Sequence, residues 1–253
     1  MKKLSRVEKK MRRRRFLFRF ILLNSLILLL CVLALNSNFF VINNIKVIGN
    51  KKISRDNIIS ASSIQLGENI FKINTRVGKR DLMKLPYVKE VKIERKFPKG
   101  IIIHITERKE IMQIKEISSF VLVDIDGYIL DTVDTQNEDL PLLVGLKIED
   151  KKPGDNLFIN TETKSTVEFI TEGHATKLLP KMKEIHMEDN NKVNITLING
   201  ISVAFGTLDN VKYKVNYLDE ILKDIEKDKI PCKMILMDRG DNPIAVLEEE
   251  GEG

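Results

Sequence analysis

Twenty residues near the start of this chain, Phe16 to Leu35, constrain it more than any other stretch, because only Arg19, Asn24 and Ser25 among them are not apolar. A helix that is apolar on every side cannot sit on the surface of a small globular domain. At about 1.5 Å per residue, however, a helix of this length matches the roughly 30 Å hydrocarbon core of a bilayer. Arg19 falls in the first turn, where a long cationic side chain reaches the headgroups. The run exceeds the about 7–15 residues of a signal-peptide core, and Ala34-Leu35-Asn36-Ser37-Asn38 offers no small-residue cleavage site. The sequence therefore predicts an uncleaved, single-pass anchor over residues 16–35.

Charge sets its direction. The 253-residue chain carries +6 overall, with a pI near 9.1. Residues 1–19 hold ten Lys/Arg against one acid, Glu8, for +9, and +6 less +9 leaves −3 for residues 20–253. No charge occurs after Leu35 until Lys46. The positive-inside rule then places residues 1–15 in the cytoplasm and 36–253 outside, a type II topology. The basic tail also suits anionic lipid. It has no aromatic residue outside the apolar run on which a base could stack, so nucleic acid is not an expected partner. Phe39 and Phe40 fit either an interfacial aromatic contact or the first core residues of the neighbouring domain. Cys31 lies in the run and Cys232 beyond it, so no disulfide framework holds the external part.

Residues 40–110 read as a small α+β domain. Ile45 to Ile48 is a short strand closed by Gly49-Asn50, and Ser54 caps a helix running to about Ser63. Ile70, Phe71 and Ile73 return to a core. A second helix spans about Thr75 to Leu85, with Val77, Leu82 and Leu85 inward, and Pro86 ends it. Two alternating strands then flank Pro98-Lys99-Gly100, the second with Ile101, Ile103 and Ile105 on one face. The order is β-α-α-β-β.

Residues 111–247 form a second α+β domain with a mainly antiparallel sheet, with an acidic tail after it at 248–253. Val121 to Leu130 is a hairpin around Asp126-Gly127; Asp124-Ile125-Asp126-Gly127 lacks the ligands of a calcium loop. Leu140 to Gly145 and Pro153-Gly154 read as loops, and a helix is expected from about Asn160 to Glu172 with Val167 and Ile170 apolar. Ile185 and Met187 mark one strand. Val193, Ile195 and Leu197 mark the next, turned at Asn199-Gly200 into Ile201, Val203 and Phe205. Asp209 caps a long helix to about Lys227 whose Val211, Val215, Leu218, Leu222 and Ile225 make one buried stripe. Met234 to Met237 and Ile244 to Leu247 close the chain as strands joined by Arg239-Gly240-Asp241-Asn242-Pro243.

No arrangement of residues organises a reaction. His104, His174 and His186 never pair at i,i+4 around a Glu, and there is no phosphate loop or nucleophile elbow. The reading is a non-enzyme without cofactor or metal. What remains is an anchor that presents two small domains, and such domains offer sheet edges: unpaired backbone donors and acceptors invite an incoming strand.

The first domain resembles a POTRA domain of the cell-division protein family FtsQ/DivIB. The resemblance rests on Ile45-Lys46-Val47-Ile48-Gly49-Asn50 with Ile53-Ser54, on Gly67-Glu68-Asn69-Ile70-Phe71 and on Leu85-Pro86-Tyr87-Val88. Arg95-Lys96-Phe97-Pro98 and Glu107-Arg108 complete it, although Lys109-Glu110-Ile111 stands where the family often has a proline. Leu140-Pro141-Leu142 with Gly145, Asn199-Gly200 leading to Gly206, and Lys214 resemble the family's β domain more loosely. The resemblance implies a scaffold of the bacterial division machinery, placed at the septum. Its implied partners are FtsB-like (DivIC-like) and FtsL-like single-pass proteins bound by the last strands. By motif position it points to Ile235, Leu236, Met237, Ile244, Ala245 and Val246. The competing expectations are a POTRA chaperone for exported polypeptides, which usually carries tandem units, and an anchored envelope enzyme.

Overall fold

In a computed structural model the described residues are 6–148, 151–159, 164–188, 192–239 and 242–247, without side chains for 6–10, 12, 13, 31, 34 and 159. The apolar run lies in one 30-residue helix, α1 (Arg6–Leu35), whose described side chains from Phe16 onward are exposed. Among the described residues no helix is long and apolar enough to cross a membrane. The side chains of Cys31 and Ala34 fall inside the run and outside that description, so the span at 16–35 rests on the sequence.

The chain divides into two units, each with its own sheet: Met1–Met83 with Glu90–Thr106, and Lys84–Lys89 with Glu107–Gly253. In the first, β1 (Asn44–Ile48), α2 (Arg55–Ala61), α3 (Thr75–Leu82), β2 (Val88–Lys96) and β3 (Gly100–Glu107) keep the expected β-α-α-β-β order. The strand order is β1-β3-β2, with β1 parallel to β3 so that Ile45 faces Ile101 and Val47 faces Ile103. Ser54 caps α2 by accepting from the Asn57 amide, as its residue type predicts. Gly49 takes a positive φ of 94°, and a Cβ there would overlap the Ile105 carbonyl; only glycine closes this turn.

Two expectations change here. The second helix stops at Leu82, and it buries Gly78 and Leu82 while Val77 and Leu85 stay half-buried. Close packing needs a small residue at the nearest approach, and Gly78 against the Ser62 carbonyl supplies it. Phe71 is exposed rather than buried; Ile70 and Ile73 take the core positions on either side.

The second unit is one nine-stranded sheet with order β12-β11-β10-β9-β8-β7-β4-β5-β6. Its strands are β4 (Met112–Lys115), β5 (Phe120–Val123), β6 (Ile129–Val133), β7 (Leu142–Val144), β8 (Met182–Met187), β9 (Lys192–Leu197), β10 (Ser202–Thr207), β11 (Cys232–Leu236) and β12 (Ile244–Leu247). Two helices, α4 (Lys164–Ala175) and α5 (Val211–Asp228), cover one face. The α5 stripe Val211, Val215, Leu218, Leu222 and Ile225 is wholly buried with Ile185, Ile195, Val203 and Ile235. Phe169 of α4 meets Phe205 edge-on at 5.2 Å. Parallel pairing joins β4 to β7, β7 to β8 and β10 to β11; the other five pairs are antiparallel.

Leu142–Val144 is therefore a strand in the middle of the sheet, not loop. Three residues are too few to show alternation, and Pro141 just before them works by offering its carbonyl to the Gln113 amide. In α4 the buried residues are Thr166, Phe169, Ile170 and Gly173, with Val167 half-buried; the expected start at 160–163 lies outside the described residues. Asp209 does not cap α5. Asn210 holds that position at φ 47° without a side-chain bond, while Asp209 binds the Thr207 hydroxyl and the Lys214 ammonium.

Candidate functional site

A hairpin at the end of the chain carries every residue to which the family resemblance points, and it sorts them into two kinds. β11 is paired on both sides, parallel to β10 and antiparallel to β12. Ile235 is 0% exposed and Met237 is buried with it in the core under α5. Ile235 is paired on both sides, the Met237 amide donates to the Ala204 carbonyl at 2.9 Å, and both side chains are spent on packing. Leu236 is half-buried.

β12 is the opposite case. It pairs with β11 alone, in the register Ile235↔Ala245 and Leu236↔Ile244, and its outer edge faces no strand among the described residues. All four of its residues are exposed, Ile244 by 48%. Directly opposed residues of an antiparallel pair share a face, and neighbours along a strand alternate. Met234 opposite Val246 and Leu236 opposite Ile244 therefore form one apolar patch on the side away from Ile235 and its helices. Across the same face the register runs from Leu236 to Ala204, Asn194 and His186, so the patch fades into polar side chains.

A shallow cleft adjoins β12, lined among others by Tyr213, Lys214, Tyr217, Asp238 and Pro243. Tyr213 and Tyr217 lie one turn apart on α5 with ring centroids at 5.6 Å, and Tyr213 is largely exposed. Lys214 donates to the Thr207 carbonyl at 2.8 Å and to Asp209 at 2.5 Å. Hydrogen bonds, from Lys214 first and then from Thr207, pull the Asp209 carboxyl down to about 2. Neither tyrosine stands out in the sequence; their i,i+4 spacing on the polar side of an otherwise amphipathic helix is the available signal.

Elsewhere, charged groups are absorbed by structure. Arg108 reaches Asp124 at 2.6 Å and Asp126 at 3.1 Å and lies 3.7 Å over the Tyr128 ring, and Asp124 also accepts from the Tyr128 amide. Asp124-Ile125-Asp126-Gly127 is thus a turn locked by an arginine. Tyr87 donates to Glu110 at 2.6 Å, and burial first, then that carboxylate, holds its phenol protonated. Among the described residues no group of three or more His, Cys, Asp or Glu could hold a metal ion. Cys232 is buried, and its thiol donates to the Met234 carbonyl at 3.5 Å. His104 stands 3.9 Å from Glu94, half-buried on its strand.

Two family models match in series: POTRA domain, FtsQ-type, over residues 40–108, and Cell division protein FtsQ/DivIB, C-terminal, over residues 113–237. The chain belongs to the FtsQ/DivIB family of cell-division proteins. It is 34% identical over 134 residues to the cell division protein DivIB of Clostridium tetani, covering 53% of this chain and 51% of that one. To DivIB of Clostridium botulinum strain Hall it is 27% identical over 258 residues, covering 96% and 95%. A solved structure of the major extracytoplasmic domain of DivIB from Geobacillus stearothermophilus, described as its trans isomer, is similar at 18% identity and a TM-score of 0.32, over 49% of this chain and 98% of that one. At that score the likeness carries no weight. The FtsQ/DivIB match ends at residue 237, so β12 lies just beyond it.

Proposed function

We propose that this chain is a non-enzymatic bitopic scaffold of the division machinery, which binds other division proteins outside the membrane and so helps assemble septal wall synthesis. The observation that carries this reading is β12: an outermost strand, apolar on one face, with its outer edge open to a further strand. Its partners are FtsB/DivIC-like and FtsL-like single-pass proteins, which add a segment beside Ile244, Ala245 and Val246. Leu236 takes part through its side chain, while Ile235 and Met237 support the hairpin from within.

Residues 16–35 anchor the scaffold, supported by their apolar sequence and by the exposed side chains along α1. The basic tail stays cytoplasmic on anionic lipid, and the domains at about 40–110 and 111–247 stand outside. Membership in a cell-division family supports the role. Depleting the protein should give filamentous cells, and a fluorescent fusion should gather at mid-cell. Normal division with an even peripheral signal would sink the reading. Ala245→Pro removes a backbone donor from β12. The full-length variant should no longer capture a DivIC-like partner while its circular dichroism is unchanged; capture at parental level would exclude this edge.

A further inference from the structure

One end of the three-stranded unit is built from aromatic rings that stay largely open to solvent. Phe39 and Phe40 meet at 5.1 Å, Phe40 and Phe71 at 5.0 Å, and Phe71 and Phe97 at 5.3 Å, so four rings from three separate segments form a continuous row. Phe40 is half-buried, whereas Phe39, Phe71, Phe97 and the nearby Leu66 are between 43% and 62% exposed. Leaving such rings in water forgoes the burial that large aromatics usually provide, and a cluster of them marks a binding surface.

The rings are held where they are by backbone. The Ile70 amide donates to the Phe40 carbonyl, Ile42 to Glu68, Gly67 to Ile42 and Asn43 to Lys99, all between 2.8 and 3.0 Å. These bonds gather residues 40–43, 67–70 and 99 at one end of the unit. That end is where α1 arrives. Asn69 donates its side-chain amide to the Leu35 carbonyl at 2.7 Å, on the last residue of α1, and only Asn36, Ser37 and Asn38 separate Leu35 from Phe39.

We propose that this end of the unit docks on the outer surface of the bilayer, with Phe39, Leu66, Phe71 and Phe97 seated at the level of the headgroups. The inference rests on the reading of residues 16–35 as a membrane span and goes beyond it. Continuity names the occupant: an anchor that leaves the bilayer at Leu35 and is bonded to Asn69 brings these rings to the interface, where aromatic residues are favoured. Charge agrees. Lys72 and Lys96 are exposed next to Phe71 and Phe97 in the chain and Lys99 is half-buried; against them stand Glu68 and Glu94, the latter 3.6 Å from Lys96, which leaves a small positive excess toward lipid phosphates. At the far end of β1 stands Ile48, 38% exposed.

The chain contains no tryptophan, so single-tryptophan variants report their own depth. The full-length protein would be reconstituted into phosphatidylcholine/phosphatidylglycerol vesicles with brominated acyl chains, as Leu28→Trp, Phe97→Trp or Ile48→Trp. Leu28→Trp and Phe97→Trp should each lose roughly half their emission or more, with Ile48→Trp nearly unquenched. Quenching of Leu28→Trp without Phe97→Trp overturns the docking and leaves the span standing. Quenching of neither overturns the span and the docking with it. Equal quenching of Ile48→Trp and Phe97→Trp also overturns the docking, because contact is then not confined to the aromatic end. Phe71→Trp replaces Phe97→Trp if the latter changes the circular dichroism.

Discussion

β11 and β12 are neighbouring strands of the same hairpin, with almost the same apolar composition, and they have opposite fates. Met234-Ile235-Leu236-Met237 sends Ile235 and Met237 into the core, while all four residues of Ile244-Ala245-Val246-Leu247 stay exposed. Both runs are wholly apolar, and the larger difference is in what lies beside them. β11 has a strand on each side and α5 above it; among the described residues β12 has β11 alone. Position in the sheet, rather than residue type, thus separates a stretch that stabilises the protein from one that is free to recognise another.

The sharpest way to break this contrast is to truncate both strands alike. Ile235→Ala should cost about 2–5 kcal/mol of stability in denaturant titrations, since it empties a fully buried site. A loss under about 1 kcal/mol would mean that β11 is not core. Next, Ile244→Ser with Val246→Ser should leave stability within about 0.5 kcal/mol of the parent. The same double variant should weaken capture of the partner roughly tenfold or more, because it strips the apolar patch. Unchanged affinity with unchanged stability would leave β12 without a role.

The smallest effect concerns the cleft beside the hairpin. The Asp209 carboxyl titrates at about 2, below its ordinary 3.8, so the folded form favours its charged state. Its stabilising contribution is complete above about pH 4 and disappears as pH falls through about 2. Asp209→Asn should therefore lower stability slightly at neutral pH, by about 0.5 kcal/mol after solvent screening. The gap to the parent should close toward pH 2. A gap that persists there would assign the effect to packing instead of the Lys214 pair.

Much of the architecture is readable in the sequence because its signals are local. The α5 stripe repeats every three or four residues, Asn199-Gly200 specifies a tight hairpin, and Ser54 caps α2 through its own side chain. The misses share another cause. β7 is three residues long and is a strand only because β4 and β8 flank it. Phe71 looks like core until Ile70 and Ile73 are seen to fill the interior. The candidate site divides in the same way. Six residues are implied by resemblance, and whether each packs inside or stands at an edge depends on strands that are remote in sequence.

The parallel pairing of β10 with β11 has a consequence for assembly. Parallel neighbours require a crossover, and here α5 is that crossover. β11 reaches its place beside β10 by way of that helix, and among the described residues β12 is held in the sheet through β11 alone. β12 thus stands at the end of a series of pairings that runs from β10 across α5 to β11. If a partner adds to β12 as proposed, its landing site depends on the packing of α5 as well as on the strand itself, so damage to the crossover helix should weaken capture without touching a contact residue.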